Sequence, residues 1–235
     1  MIICFHEVKD VKQFEANLVY LRKCFHLLPL SSYSGLTLKH AYITFDDNYK
    51  SWLQALDLLE HYNVPAHFFV NTFPYDESKS PYDYAANLER SQVNETMSIA
   101  DLELLDRSRI AKISSHTHSH LRLSANDTQQ CIEDIRKSQS ILRQLSSFDP
   151  KVLSYPFGRL SDYLKSDLID MLKICQIEKA FTAIRLNHPI HRFAFRHYDK
   201  DFFIPRYIWE ADKPPLHNLR KANLAHRLRD LVLPL

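Results

Sequence analysis

The chain reads as an α/β protein built on a parallel sheet, either a (β/α) barrel or a doubly wound sheet, and three observations lead there. Short apolar runs alternate with segments of helical period from end to end, the pattern of repeated βα units rather than of separate α and β domains. The 235 residues are 45% hydrophobic and 25% charged, enough to bury one large core, so residues 1–235 are taken as a single domain. Polar clusters stand just after the apolar runs, where parallel folds place their chemistry at the carboxyl ends of strands.

The elements follow in order. Ile2-Ile3-Cys4-Phe5 is a strand, and Val11, Phe14, Leu18, Leu21 and Phe25 follow at spacings of three and four that share one helical face. Strand Ala41 to Phe45 leads into a helix through Leu53, Leu56 and Leu59, and strand Ala66 to Val70 follows Pro65. Residues 71–98, rich in Ser, Tyr, Asp, Glu and Asn, show no period and are expected to form a long loop, either a substrate lid or a surface insertion. A helix from Ile99 to Arg107 precedes strand Ala111 to Ser114. Ser124, with Asp127 three residues on, marks a helix start ahead of Ile132, Ile135, Ile141, Leu142 and Leu145. Strand Val152 to Tyr155, a helix through Leu164, Leu168, Leu172 and Cys175, and strands Ala180 to Ala183 and Phe202 to Pro205 complete the alternation. Residues 213–235 predict a C-terminal helix in which Leu219, Leu228 and Leu231 stand beside Arg220, Lys221, Arg227 and Arg229. Such a basic amphipathic helix either touches a membrane surface or packs on the barrel or a partner subunit.

Composition excludes several function classes. Only two glycines occur, Gly35 and Gly158, where average usage would supply about sixteen. A P-loop or a G-x-G-x-x-G dinucleotide fingerprint is therefore impossible. With 30 Lys plus Arg against 28 Asp plus Glu, the net charge of +2 argues against nucleic acid as a partner. Cys4, Cys24, Cys131 and Cys175 form no C-x-x-C pair and are expected to be reduced and mostly buried. No basic residue precedes the first apolar run and no stretch approaches the roughly 20 apolar residues of a membrane span. A cytoplasmic protein without a transmembrane segment is the expectation.

Three clusters carry candidate chemistry. Asp46 and Asp47 follow the strand Ala41 to Phe45, and consecutive residues at a strand end point in different directions. One can bind a metal while the other faces a reacting water, although a solvated turn or a helix N-cap pair would look the same. His116-Thr117-His118-Ser119-His120 puts three of the chain's 13 histidines within five residues. Imidazoles at i and i+4 converge on one cation if the segment forms a helical turn, and with an Asp they suit zinc or a similar divalent ion with open coordination positions. In Leu153-Ser154-Tyr155-Pro156-Phe157-Gly158, Pro156 has no N–H, so the free donors for a developing oxyanion are the amides of Phe157 and Gly158. A plain turn after a strand is the alternative.

Thr44-Phe45-Asp46-Asp47, His116-Thr117-His118-Ser119-His120-Leu121 and Ser154-Tyr155-Pro156-Phe157-Gly158, in this order, resemble the first three motifs of the polysaccharide deacetylase (NodB-homology) family, the family-four carbohydrate esterases. The resemblance extends over roughly residues 1–210. It implies a distorted or incomplete (β/α)7 barrel that removes acetyl groups from N-acetylated sugars of a glycan or glycan precursor with one divalent metal ion, zinc first among the candidates. By position, Asp46 matches the catalytic base, Asp47, His116 and His120 match the metal triad, and His118 becomes a wall residue. The family's general acid is a histidine, carried near the C-terminus or, in circularly permuted members, at the end of an N-terminal strand. Ile3-Cys4-Phe5-His6-Glu7-Val8 looks like the permuted form and assigns the acid to His6, with His217 in Pro215-Leu216-His217 as competitor.

Some positions depart from the family pattern. Asn48 stands where glycine is usual after the Asp pair, and it is expected to adopt positive φ. Ser154-Tyr155 stands where an arginine often pairs with the catalytic Asp, as in a Tyr-Pro-Phe-Gly subgroup, so Arg206 at a later strand end is the candidate replacement. Tyr155 and Trp209 are candidates to stack on a sugar ring, with a core role as the alternative. Two other functions share the scaffold: deformylase or amidase action on a non-sugar substrate, and glycan binding by a dead site.

Overall fold

The strands of the computed structural model, which describes residues 1–35, 39–76, 96–157, 166–184 and 201–220, are all parallel and close into a ring. In chain order the elements are β1 (Ile2–Phe5), α1 (Val11–Cys24), β2 (His26–Leu27), β3 (His40–Asp46), α2 (Trp52–His61) and β4 (Ala66–Val70). They continue with α3 (Ile99–Arg107), β5 (Ala111–Ser115), α4 (Thr128–Leu142), β6 (Phe148–Ser154), α5 (Leu168–Ile174), β7 (Lys179–Ile184) and β8 (Ile204–Ile208). β1 pairs with β3 on one side and β8 on the other, which joins the ends of the run β3-β4-β5-β6-β7-β8 into a seven-stranded barrel. A doubly wound sheet would leave two free edges; here each of the seven has two partners. β2 is a two-residue addition to β3.

Alternation along the strands separates two kinds of core. Ile2, Tyr42, Phe69, Phe181 and Ile204 form one apolar cluster inside the ring. Their chain neighbours Ile3, Ile43 and Phe68 join a second cluster with Phe14, Leu18 and Leu21 of α1 and Leu56 and Leu59 of α2. Leu153, Tyr155 and Ala180 join a third with Ile132 and Ile135 of α4 and Met171 and Leu172 of α5. α1 and α3 start on side-chain caps: Asp10 accepts from the Gln13 N–H, and Ser98 with Asp101 forms a capping box at α3.

Several boundaries depart from expectation. Ser124 lies in a short 3-10 turn, Leu123–Ala125, and α4 begins one turn later, capped by Asp127, whose side chain accepts from the Gln130 N–H. β8 is displaced toward the C-terminus from Phe202–Pro205, because Phe202 and Phe203 pack into the outer core before the strand and the polar Arg206 continues it. β6 starts at Phe148, ahead of Val152, behind the strand-poor letters Asp149-Pro150-Lys151. β2 is too short to announce itself. Within 71–98, Phe73–Tyr75 form a 3-10 turn and Thr96 bridges Tyr49, while 77–95, and with them most of the expected lid or surface insertion, lie outside the described residues. Of the expected 213–235 helix, residues 215–220 are helical and 213–214 precede the helix, while 221–235, like Leu164 and Gly158, also lie outside the described residues. No helix among the described residues is long and apolar enough to cross a membrane.

Candidate active site

The carboxyl ends of β1, β3, β5, β6 and β8 meet at one rim of the barrel. Alternation along β3 turns Asp46 inward, where it is fully buried, and Arg206 of β8 reaches it across β1. The guanidinium grips the carboxylate in a fork, Nη1 to Oδ1 at 2.7 Å and Nη2 to Oδ2 at 2.5 Å. Its remaining donors go to Thr182 O through Nε (3.1 Å), Thr44 Oγ1 through Nη1 (3.1 Å) and Ser154 Oγ through Nη2 (2.6 Å). All five N–H groups of a guanidinium are thus committed. Ser154 in turn donates to Asp46 Oδ2 at 3.0 Å. The serine at the usual arginine position therefore joins the carboxylate to a cation supplied by another strand. Burial works to raise the Asp46 carboxyl, but Arg206, His116 and His6 together hold it below the usual carboxylate range.

Asp47 leaves the strand with φ 81° and Asn48 follows with φ 52°, the positive value expected at that position. Asp47 Oδ1 lies 3.2 Å from His116 Nε2 and 3.3 Å from His120 Nε2, and one ligating atom from each residue falls within 4.8 Å of the other two. His116 Nδ1 lies 2.9 Å from Ser154 O, a carbonyl that can only accept, so that nitrogen carries the proton. A neutral His116 then aims a lone pair at a carboxylate oxygen, an arrangement that is stable only with positive charge between them. Two imidazoliums whose rings stand 5.2 Å apart would repel, whereas one divalent cation satisfies all three groups, and an imidazole braced through its other nitrogen is the usual form of a metal ligand. The donor set therefore fits a divalent metal. Burial tends to raise the Asp47 carboxyl, but His120 and His116 override it and hold it well below its ordinary value. Burial likewise tends to lower His116, and the charge of Asp46 with the Asp47 contact reverses the sign.

The histidine segment is not the helical turn assumed from its i, i+4 spacing. It is a loop with Thr117 at φ 67° and His120 at φ 57°, and α4 clamps it from outside. Asp134 accepts from the His118 N–H (2.7 Å), the Ser119 N–H (3.2 Å) and the Ser119 hydroxyl (2.6 Å). His118 turns away from Asp47, His116 and His120, its Nδ1 2.9 Å from Thr72 Oγ1 and its Nε2 3.4 Å from Asp76.

His6 follows β1 with its carbonyl held by Trp52 Nε1 at 2.9 Å. Its ring sits between Cys4 Sγ, 4.0 Å from Nδ1, and Asp47 Oδ2, 3.8 Å from Nε2. Burial lowers its pKa, and Asp47 and Asp46 compensate only in part. His217 is elsewhere, exposed and 4.0 Å from Glu210. Phe157, at φ 70°, has a part-exposed ring 4.5 Å from that of His120, with the Arg122 guanidinium 4.1 Å from its centroid.

Tyr155 and Trp209 do not present faces to a ligand. Tyr155 is buried and donates its hydroxyl to Phe202 O at 2.8 Å; Trp209 is buried and donates to Asn17 Oδ1 at 2.9 Å. Strand parity explains both: Ser154 and Arg206 point into the barrel, which turns Tyr155 outward and leaves Trp209 in the outer cluster. Unforeseen residues also surround the site. Cys4 is buried beside His6 and Asp46, and burial pushes its thiol well above the usual range. His67, 2.8 Å from Ser114 Oγ, is driven down to about 3 by burial and then by the charge of Arg206.

Comparisons with known proteins give the family and the fold. The family model described as "Polysaccharide deacetylase" matches residues 35–171, which contain Asp46, Asp47, His116, His120 and Ser154 but not His6 or Arg206. The Poly-beta-1,6-N-acetyl-D-glucosamine N-deacetylase of Staphylococcus aureus (strain MRSA252) is 20% identical over 215 residues, covering 88% of this chain and 66% of that protein. The chain thus spans just under two thirds of that curated relative's length. IcaB from Ammonifex degensii superposes with a TM-score of 0.68 at 17% identity, over 97% of this chain and 96% of that one. The de-N-acetylase from Aggregatibacter actinomycetemcomitans gives 0.69 at 16% identity, over 92% and 98%. At these identities the two superpositions establish a shared fold. With a family model covering more than half of its residues, the chain belongs to the polysaccharide deacetylase family.

Proposed function

We propose that this protein hydrolyses the N-acetyl amide of amino-sugar units in a glycan of the poly-N-acetylglucosamine type, using a divalent cation, zinc or a similar ion. The observation that carries the reading is the convergence of Asp47, His116 and His120 beside a buried Asp46 that Arg206 keeps ionised. The curated relative named for poly-beta-1,6-N-acetyl-D-glucosamine supports the substrate class. Asp47, His116 and His120 would hold the metal, which supplies Lewis acidity at the scissile carbonyl and makes water more acidic.

The chain's own groups do the rest. Arg206 and Ser154 orient the Asp46 carboxylate with three hydrogen bonds, and that carboxylate is assigned to take the proton of the attacking water. Arg206 keeps that carboxylate charged and fixes its plane. The Phe157 N–H, on the turn after β6, is assigned to the oxyanion that develops at the carbonyl. His6 gives a proton to the departing amine, and acetate and a free amino sugar leave. What supports His6 over His217 is its ring beside Asp47, and this in turn supports a circularly permuted arrangement with the acid on the first strand.

The test is acetate release from poly-β-1,6-N-acetyl-D-glucosamine, alongside metal analysis of the purified protein. The wild type is expected to bind a divalent ion and release acetate rather than formate. Asp46→Asn should keep the metal and lose about 10²–10⁴-fold in turnover, and His116→Ala should lose both. His6→Ala should lose turnover on the same scale with its metal intact, and His217→Ala should lose nothing. A wild type without metal, or a fully active Asp46→Asn, would overturn the proposal.

A further inference from the structure

Asn48 stands where glycine would be the ordinary residue, and its φ of 52° is what glycine would supply. Its side chain does something no glycine can. β3 and β4 pair in register as far as Asp46 with Phe69, so two residues further on Asn48 lies opposite Asn71, beyond the last strand residue Val70. At that step the Asn48 amide takes the place of a backbone peptide group. Its Nδ2 donates to Asn71 O at 2.5 Å, and its Oδ1 accepts from the Asn71 N–H at 2.9 Å. The next junction repeats the device. β4 and β5 pair as far as Val70 with Ser115, and one step on the Asn71 Nδ2 donates to His116 O at 2.5 Å. Both asparagines are fully buried.

We propose that Asn48 and Asn71 are positioning residues, a two-amide relay that extends the β3-β4-β5 ladder one register past its strands and locks the Asp47 and His116 backbones in ligating geometry. The proposal rests on the metal reading above. Asp47 is the chain neighbour of Asn48 and His116 supplies the carbonyl at the other end, so two of the three ligands are joined through the relay. On this account Asn48 is present for its amide as much as for its tolerance of positive φ.

The two explanations predict opposite results for Asn48→Gly. If tolerance of φ were the whole reason, glycine would serve as well or better. If the relay matters, the variant loses its lock. Metal-stripped protein is titrated with Zn²⁺ in competition with a chromogenic chelator, and the thermal midpoint of the same samples is recorded. Asn48→Gly and Asn71→Ala are each expected to weaken zinc binding by about 10–100-fold. The double variant should lose no more than the weaker-binding single, because both break one chain. Asn63→Gly is the control: Asn63 is exposed at the end of α2 with φ 51°, and its replacement should leave zinc affinity unchanged. An Asn48→Gly protein that binds zinc like the wild type, with an unchanged or raised midpoint, overturns the relay alone. A wild type that binds no zinc overturns the metal reading and the relay with it. If Asn48→Gly fails to fold, Asn71→Ala interrogates the same bonds from the other side, and unchanged zinc affinity there is equally decisive against the relay.

Discussion

At the scale of the residue, the most consequential contact is the fork between Arg206 and Asp46. Both are fully buried, and an isolated buried carboxylate is strongly unfavourable, so the two must be considered together. Arg206→Met would leave Asp46 without its counter-ion at a cost of about 3–5 kcal/mol. The pH dependence gives a sharper test. In the wild type the depressed Asp46 pKa contributes stability that is present above the unfolded carboxylate pKa and is lost as pH falls through the folded value. In Arg206→Met only His116 and His6 are left to oppose burial, so the pKa rises and protonating the acid relieves the fold. Urea unfolding should therefore show a smaller deficit relative to wild type at pH 5 than at pH 8; a deficit independent of pH would argue that the arginine contributes packing rather than charge.

At the scale of the element, α4 is more than a cover for the barrel. Asp134 on its second turn accepts three bonds from a loop whose residues 117 and 120 both have positive φ without being glycine. Removing the carboxylate leaves the His118 and Ser119 N–H groups without it, worth about 1–3 kcal/mol for buried donors. Asp134→Ala is expected to lower the thermal midpoint by several degrees and to speed amide exchange at His118 and Ser119 selectively. Uniform acceleration across the barrel would mean that α4 is destabilised as a whole instead. None of this was legible in the residue order, since Asp134 sits in an ordinary helical stretch and acquires its role only by packing. The same holds for Asn71 and Cys4. The grouping of Asp47, His116 and His120 was legible because it is written in short motifs, and Arg206 because it stands at a strand end. For Tyr155 and Trp209 the residue order left ligand platform and core both open for a definite reason: parity in a strand is set by register, and a one-residue ambiguity exchanges the inside of the barrel for the outside.

At the scale of the whole molecule, the barrel interior is apolar toward one end and carries a polar column of Arg206, Asp46, Ser154 and Thr44 toward the other, with His67 and Ser114 also buried. His67 stays neutral, its pKa near 3 against an ordinary 6.5. Between those values the unfolded chain binds the extra proton, so stability falls as pH drops through that window by up to about 1.4 kcal/mol per pH unit from this group. His67→Gln, which retains a polar amide opposite Ser114, should flatten the decline of unfolding free energy between pH 6 and pH 4. An unchanged slope would assign the acid sensitivity to the carboxylates alone. The alternation of apolar runs was sufficient to foresee a parallel α/β chain, but not its closure, because β1 and β8 meet at opposite ends of the covalent order.

That seam has a consequence for the order of events during synthesis. A nascent chain that has emerged through β6 already holds Asp46, Asp47, His116, His120 and Ser154, yet the cation that makes a buried Asp46 tolerable arrives only with β8. Until then Asp46 must remain hydrated or protonated, and the pocket cannot dry around it. The last of the seven barrel strands is thus also the one that arms the site, so a product terminated before it would be a silent one.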